Sequence, residues 1–466
     1  MFLEQGANRG SVSTGYNIDH SMKCQANAGN EWFYRDNPSA GNRQTFTFSF
    51  WVKRTQLTGF EADQYLMSQG SNARFHFASD TLRFMFDGNS TELEASGKLR
   101  DCNAWYHIVL AVDTTQGTNT NRVKMYVNGV DYPFNNNDWP SQNATSDWMN
   151  TNDMYFNTRD GDGSYDNSMY WAEIAVVDGQ QLAATEFGEF DEDSGIWKPK
   201  DLSSINFGSQ GFWWNFSDSS SLGADSSSNS NTATFNNLTT ADHATDTPTN
   251  NFCTMSANWR FTTNNTISEG GTKTVPSGSS WCGSKGSIGL SAGKWYWEWK
   301  ASQQSNYMGV QTDGEDNIDS GNPQNNQMGA FFVHDGEFKI YDADSTSGRN
   351  DVDIDYPTFD SGHIFGCALD MDNNRISFYQ DGTIIPDSAS GRANAPGNYD
   401  LDGLSNKTVF PTSSQYDTTF EWNFGGYTTF SISSAQSDEN GYGNFEHAPP
   451  SGYLAICSKN LAEHGG

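Results

Sequence analysis

Residues 45–53 read Thr, Phe, Thr, Phe, Ser, Phe, Trp, Val, Lys. Phe46, Phe48, Phe50 and Val52 share one parity, and Thr47, Ser49, Trp51 and Lys53 share the other. Strand side chains alternate between two faces, whereas a helix gathers positions three and four apart. This segment therefore predicts a half-buried strand, and such a strand needs a second layer to cover its apolar face. The same period returns at 294–300, where Trp295, Trp297 and Trp299 share a face opposite Lys294, Tyr296, Glu298 and Lys300.

Other segments fit the same plan. Residues 105–112 form a nearly continuous apolar run, as in a central strand covered on both sides. Val123, Met125 and Val127 alternate up to Asn128 and Gly129, a pair that favours a two-residue hairpin. In the second half an apolar run ends at Asp370, and residues 375–380 alternate up to Asp381 and Gly382. Charged residues make up only 18% and aromatics 14%, with 45 Gly, so the surface is built from Asn, Ser, Thr and Gly and the fold is rich in turns. The predicted class is all-β: two tandem antiparallel sandwiches, or jelly rolls, joined by a polar linker. Residues 1–15 read as an arm, 16–220 as the first sandwich, 221–251 as a Ser/Asn/Thr-rich connector without a core, and 252–466 as the second sandwich. Residues 180–187 are the one segment that reads as a short helix.

Charge and motifs narrow the function. With 26 Lys and Arg against 57 Asp and Glu, the net charge is −31, which repels phosphate and argues against a nucleic-acid partner. No apolar run approaches the roughly 20 residues of a membrane span, so no membrane insertion is expected. The opening residues carry neither a basic nor an apolar leader segment, so no secretory signal is expected. The Asn-x-Ser/Thr sequons at Asn89, Asn143 and Asn237 then follow from composition. Six cysteines, at 24, 102, 253, 282, 367 and 457, form no C-x-x-C pair and read as buried free thiols.

The first half resembles a laminin-G or concanavalin-type jelly roll, on residues 46–54, 105–113, 123–130 and 170–179. The second half resembles a SPRY (B30.2-like) domain, on residues 293–299, 307–310, 366–372 and 375–382, with Asn423, Phe424 and Gly425. Residues 178–200 and 246–252 are similar to segments of structural proteins of marine tailed bacteriophages, including cyanophages. That resemblance implies a virion component and supplies no catalytic residues.

Four constellations are candidates for chemistry. The tryptophan stripe at 295, 297 and 299 could stack sugars, but in a sandwich such a stripe fills the interior. The Asn- and Asp-rich stretches 313–325 and 342–355 could offer directed hydrogen bonds to hydroxyls from loops. Asp160, Asp162, Ser164 and Asp166 place oxygens at alternate positions that could wrap calcium, although Tyr165 and Trp171 stand where an EF-hand needs Gly and Glu. The competing reading there is a solvated turn. Glu189, Asp191 and Asp193 would share a face if extended, as a glycosidase pair requires, but their surroundings read as a loop. No zinc, P-loop or nucleophile-elbow motif occurs.

The resulting expectation is a non-enzymatic phage structural protein, a tail or surface fibre that adheres to host-surface glycan. It would require no cofactor beyond an optional calcium ion. Its partners would be other virion proteins and a host receptor, in a homo-oligomer such as a trimer whose weak contacts add up through many copies. A capsid decoration protein and a jelly-roll polysaccharide-degrading enzyme are the alternatives.

Overall fold

The period-two runs become strands in the computed structural model. It describes residues 15–26, 30–57, 63–88, 91–163, 165–260, 265–278, 281–302, 306–312, 329–333, 337–341, 349–353, 361–386, 399–401 and 404–465. The arm read at 1–15 lies outside them apart from Gly15. The chain divides into two units, Ser11–Thr249 and Asn250–Gly466.

In the first unit, one sheet runs in the order Val130–Asp131, Val123–Val127, Trp105–Asp113, Thr45–Arg54, Met169–Asp178, Ser21–Cys24, His243–Ala244. Phe212–Trp214 also pairs with Met169–Asp178. The other sheet runs Thr234–Asn236, Trp32–Arg35, Met154–Phe156, Gln64–Gln69, Ala73–Ala78, Thr81–Asp87, Thr91–Lys98. Phe46, Phe48, Phe50 and Val52 face Phe33, Phe75, Phe77 and Phe84 across a shared core. The hairpin at Asn128 and Gly129 has φ of +49° and +76°, the left-handed pair that a tight two-residue turn requires.

The strand Thr45–Arg54 is buried on both faces, not one. Thr47, Ser49, Trp51 and Lys53 are covered by later chain. Thr47 Oγ1 donates to the Gln180 carbonyl (2.7 Å) and accepts from Leu182 N (2.9 Å). Those two contacts also explain why 180–187 is not a helix: only a single 3-10 turn forms, at Ala184–Glu186. The His107 ring, fully buried, stacks on Trp51 with centroids 4.7 Å apart and meets Trp197 at its edge. The Trp197 indole can only donate, so its 3.0 Å contact makes His107 Nδ1 the acceptor and leaves the proton on Nε2, which meets Ser49 Oγ at 2.9 Å. Burial pushes this imidazole down to about 3, which keeps it neutral.

The stretch 221–251 corrects the expectation of a connector. Thr234–Asn236 extends one sheet and His243–Ala244 extends the other, while Leu222 and Leu238 enter the core. Asp246, 1% exposed, sits 2.6 Å from the Nζ of Lys53, which is fully buried, and accepts the Trp105 indole N–H at 3.1 Å. Asp242 meets Lys23, also buried, at 3.0 Å. Few apolar residues are needed for this role, because edge strands pair through the backbone and a buried ammonium must be paired with a carboxylate.

In the second unit, one sheet runs Met255–Arg260, Cys282–Gly286, Val409–Gln415, Asn306–Thr312, Gly329–Val333, Glu337–Tyr341, Arg349–Asp353. The other runs Asn265–Ser268, Lys273–Pro276, Phe420–Asn423, Lys294–Ala301, Phe365–Asp370, Arg375–Gln380, Thr383–Ile384. All pairings in both are antiparallel except that of Leu454–Ala455 with Lys294–Ala301. The strands Phe365–Asp370, Arg375–Gln380 and Thr383–Ile384, the last two joined through Asp381 and Gly382, repeat Trp105–Asp113, Val123–Val127 and Val130–Asp131, the last two joined through Asn128 and Gly129. Trp295, Trp297 and Trp299 are fully buried in this core with Trp422 and Phe378. The strand Phe420–Asn423 does not end the unit. The chain continues across the outer side of Lys294–Ala301, packs Phe445 on Tyr296, and finishes in the helix Ser458–His464. All six cysteines are free and buried.

Candidate functional site

Aromatic side chains left outside a core are the residues that need a reason. On the outer side of the first unit's second sheet, three such rings adjoin. In Trp32–Arg35, Phe33 points inward, so Trp32 and Tyr34 point outward; in Met154–Phe156, Tyr155 does the same. Tyr34 and Tyr155 are register partners. Ring centroids lie 5.7 Å apart for Trp32 and Tyr34, 5.5 Å for Trp32 and Tyr155, and 5.4 Å for Tyr34 and Tyr155. All three are half-buried. Rings this close pack against one another, so they form a continuous apolar surface and not a cage with a central space.

Polar groups rim this surface. The Tyr155 hydroxyl donates to Asp153 Oδ2 at 3.2 Å; burial, then the charges of Asp153 and Asp160, push the phenol up to about 12. Gly161 lies so close to the Tyr155 ring that an added Cβ would fall 2.4 Å from it, and its φ is +71°. Asp160 N donates to Ser68 Oγ at 3.0 Å, and Ser68 lies between Tyr155 and Arg74 in register. Ser68 and Tyr65 both face outward because a register shift turns Leu66 and Met67 inward together. Arg159 Nε lies 3.5 Å from Asp160 Oδ2, with both side chains 29% exposed. Burial raises the Asp160 carboxyl, opposed by Arg159 and Arg74. Its Oδ1 has no hydrogen-bond partner among the described residues. Further along, His76 stacks on Tyr65 at 4.9 Å. Burial, then Arg83, Arg74 and Arg159, hold it down at about 4, so it is neutral at pH 7.

The run read as a calcium loop thus forms one wall of the aromatic surface. Its alternation does not survive folding. Asp160, Gly161, Gly163 and Tyr165 all take positive φ, and these turns leave Asp162 exposed while Asp166 is buried. Ser164 lies outside the described residues. Among the described residues, no three His, Cys, Asp or Glu side chains are gathered as a metal ion would need.

Glu189 and Asp191 lie not in a loop but on and beside a short hairpin, Gly188–Phe190 paired with Trp197–Pro199. Lys198 is 3.4 Å from Glu189 and 3.3 Å from Asp191. Hydrogen bonds from Ser194, then the Lys198 contact, lower Asp191 to about 2. A carboxylate held this firmly as an anion is a poor proton donor. Asp193 is exposed. Of the loops read as hydroxyl-binding, 313–325 lies outside the described residues, and of 342–355 only the edge strand Arg349–Asp353 is described.

Sequence reasoning passed over Trp32, Tyr34 and Tyr155. The signal was present in the parity of Trp32, Phe33, Tyr34 and Arg35, but the strand is short and its partner lies far along the chain.

Residues 27–174, which include every member of this surface, match the family model described as the concanavalin A-like lectin/glucanases superfamily, of laminin-G type. The first unit therefore carries a laminin-G/concanavalin-like domain, built as a β-sandwich. No curated protein matches the chain. Among solved structures, mouse laminin alpha1 domains LG4-5 share 12% identity, with 96% of this chain and 90% of that chain covered and a TM-score of 0.28. The SPRY domain of human HERC1 shares 13%, covering 36% of this chain and 96% of that domain, with a TM-score of 0.27. A putative carbohydrate binding protein from Bacteroides ovatus shares 14%, covering 48% of this chain and 60% of that protein, with a TM-score of 0.32.

Proposed function

We propose that this chain is a non-enzymatic carbohydrate-binding protein whose Trp32, Tyr34 and Tyr155 face takes the flat apolar side of a sugar ring. The observation that carries this is the adjoining trio of outward aromatic rings, edged by Asp and Arg side chains that can bond hydroxyls. Such a combination of apolar surface with a few placed polar groups is the usual make-up of a small-ligand site. The lectin/glucanase family match over the same residues supports the reading. The pairing of Glu189 and Asp191 with Lys198 supports a role in binding without hydrolysis.

The wider role is adhesion by a virion protein to a host-surface glycan, supported by the resemblance of residues 178–200 and 246–252 to phage structural proteins. Single contacts of this size are weak, so many copies in a homo-oligomer would give useful attachment. Binding to an immobilised glycan panel tests the site. Trp32→Ala, on a half-exposed position, should leave the melting temperature nearly unchanged and reduce binding at least about tenfold, the effect of losing ~1.4 kcal/mol. Unchanged binding would refute the assignment. Antibody labelling of intact particles tests the wider role, which fails if the protein is absent from them.

A further inference from the structure

The charge around the aromatic face narrows the sugar class, and this step rests on the glycan reading above. The rim next to Tyr155 is acidic: Asp153 bonds its hydroxyl, and Asp160 and Asp162 follow on the adjoining turn. Arg159 is the nearby cation, and Asp160 already lies beside it. Arg83, on the far side of His76, is matched by Glu92 at 3.1 Å and Glu94 at 2.9 Å. His76 is neutral at pH 7, so it adds no positive charge. Arg74 is the other cation of this face; it donates to the Ser71 carbonyl at 2.7 Å. Its strand lies two strands from that of Tyr155, about 10 Å away at ordinary strand spacing, and its charge, like that of Arg159, partly offsets Asp160. The whole chain adds a field of net charge −31.

We infer that this face selects neutral saccharides and rejects uronate and sulfated ones, with Asp160 and Arg159 reading a pair of neighbouring hydroxyls. A hydroxyl is both donor and acceptor. One sugar O–H donates to Asp160 Oδ2, since the side chain is 29% exposed while its Oδ1 is buried. The adjacent hydroxyl oxygen accepts from the Arg159 guanidinium, 3.5 Å from the same carboxylate. A carboxylate or sulfate in that place would face Asp160 and Asp153, and like charges in close contact suppress binding. A quaternary ammonium would need rings held apart around it, and these rings touch.

The test uses matched pairs on the full-length protein: methyl-esterified against free oligogalacturonate, and dextran against dextran sulfate, by calorimetry at low salt. The expected result is at least about tenfold preference for the neutral member of any pair that binds. Asp160→Asn should weaken neutral binding and bring the preference below about threefold, because it removes the repulsion and replaces a charged acceptor with a neutral amide oxygen. Asp153→Asn, on a half-exposed turn, should also narrow the preference, which covers a failure of the first variant to fold. Equal or reversed preference that still depends on Trp32 overturns this inference and leaves the proposed function standing. Selectivity that survives both Asn variants also overturns it. Binding to no saccharide in either pair or on the panel overturns both.

Discussion

Each unit covers the outer side of a core sheet with later chain, and each places a buried glutamate under the cover. In the first unit Glu173 sits at a register shift with φ of +47° and accepts from Tyr16 OH at 2.9 Å and Trp213 Nε1 at 2.7 Å. In the second, Glu298 accepts the backbone N–H groups of Glu446 at 2.9 Å and His447 at 2.8 Å, with Asn423 Nδ2 at 3.0 Å and the Tyr296 hydroxyl at 3.3 Å. Burial lifts both carboxyls from the ordinary value of 4.5 to about 7, against the pull of these donors. The covers differ in what holds them. The first adds buried ion pairs, Lys53 with Asp246 and Lys23 with Asp242, whereas around Glu298 the second is tied through main-chain groups. Charge pairing lets a segment poor in apolar residues dock. Main-chain donors fix the path of the covering chain without calling for particular side chains.

Removing the counter-charge should produce the largest effect. Asp246→Ala removes the carboxylate that pairs with the buried Lys53 ammonium, and should destabilise the first unit by about 3–5 kcal/mol. Urea unfolding followed by tryptophan fluorescence would measure it. The double change Lys53→Met with Asp246→Leu should restore most of the loss, and failure to do so would mean that Asp246 acts through Trp105 instead.

Proton linkage comes next. A glutamate raised in the folded state contributes stability that is fully present below about pH 4.5 and is lost as pH rises through about 7. Each site accounts for up to about 3 kcal/mol of that change. Glu173→Gln should flatten the first unit's profile between those limits, and denaturation midpoints across the range would show it. A profile as steep as the wild type would place the titration elsewhere.

The two glutamates should then part company on amidation. At 173 a Gln oxygen can keep the Trp213 bond while its NH2 donates to the Tyr16 oxygen, so the change at pH 5 should be under about 1 kcal/mol. At 298 the NH2 must oppose a backbone N–H, costing about 1–3 kcal/mol. Equal penalties would erase the proposed distinction between side-chain and main-chain cover. A similarly small effect concerns the imidazole under the first cover. Trp197→Phe removes the donor to His107 Nδ1 and should cost about 1 kcal/mol, visible as a small shift in the same unfolding curves.

Much of the architecture was legible because alternation is a local property. The Phe46 to Val52 stripe, the tryptophan stripe and the two hairpin turns each carry their instruction within a few residues. The stretch 221–251 was misread for the opposite reason: its contribution depends on lysines at 23 and 53, some 200 residues earlier, and composition carries no record of a partner. The helix Ser458–His464 was missed because seven residues hold too little periodicity to separate from loop. The aromatic face was half visible. The parity of Trp32 and Tyr34 sends them outward, but nothing in the local sequence says that Tyr155 joins them.

The sequence by itself determined the all-β class, the two cores and their aromatic filling, since side-chain parity in a strand is set by backbone geometry alone. Tertiary structure decided which outer faces are covered, which carboxylate neutralises which buried lysine, and where three half-buried rings adjoin. Those outcomes follow from strand register between distant segments, and register is fixed only when the whole sheet assembles.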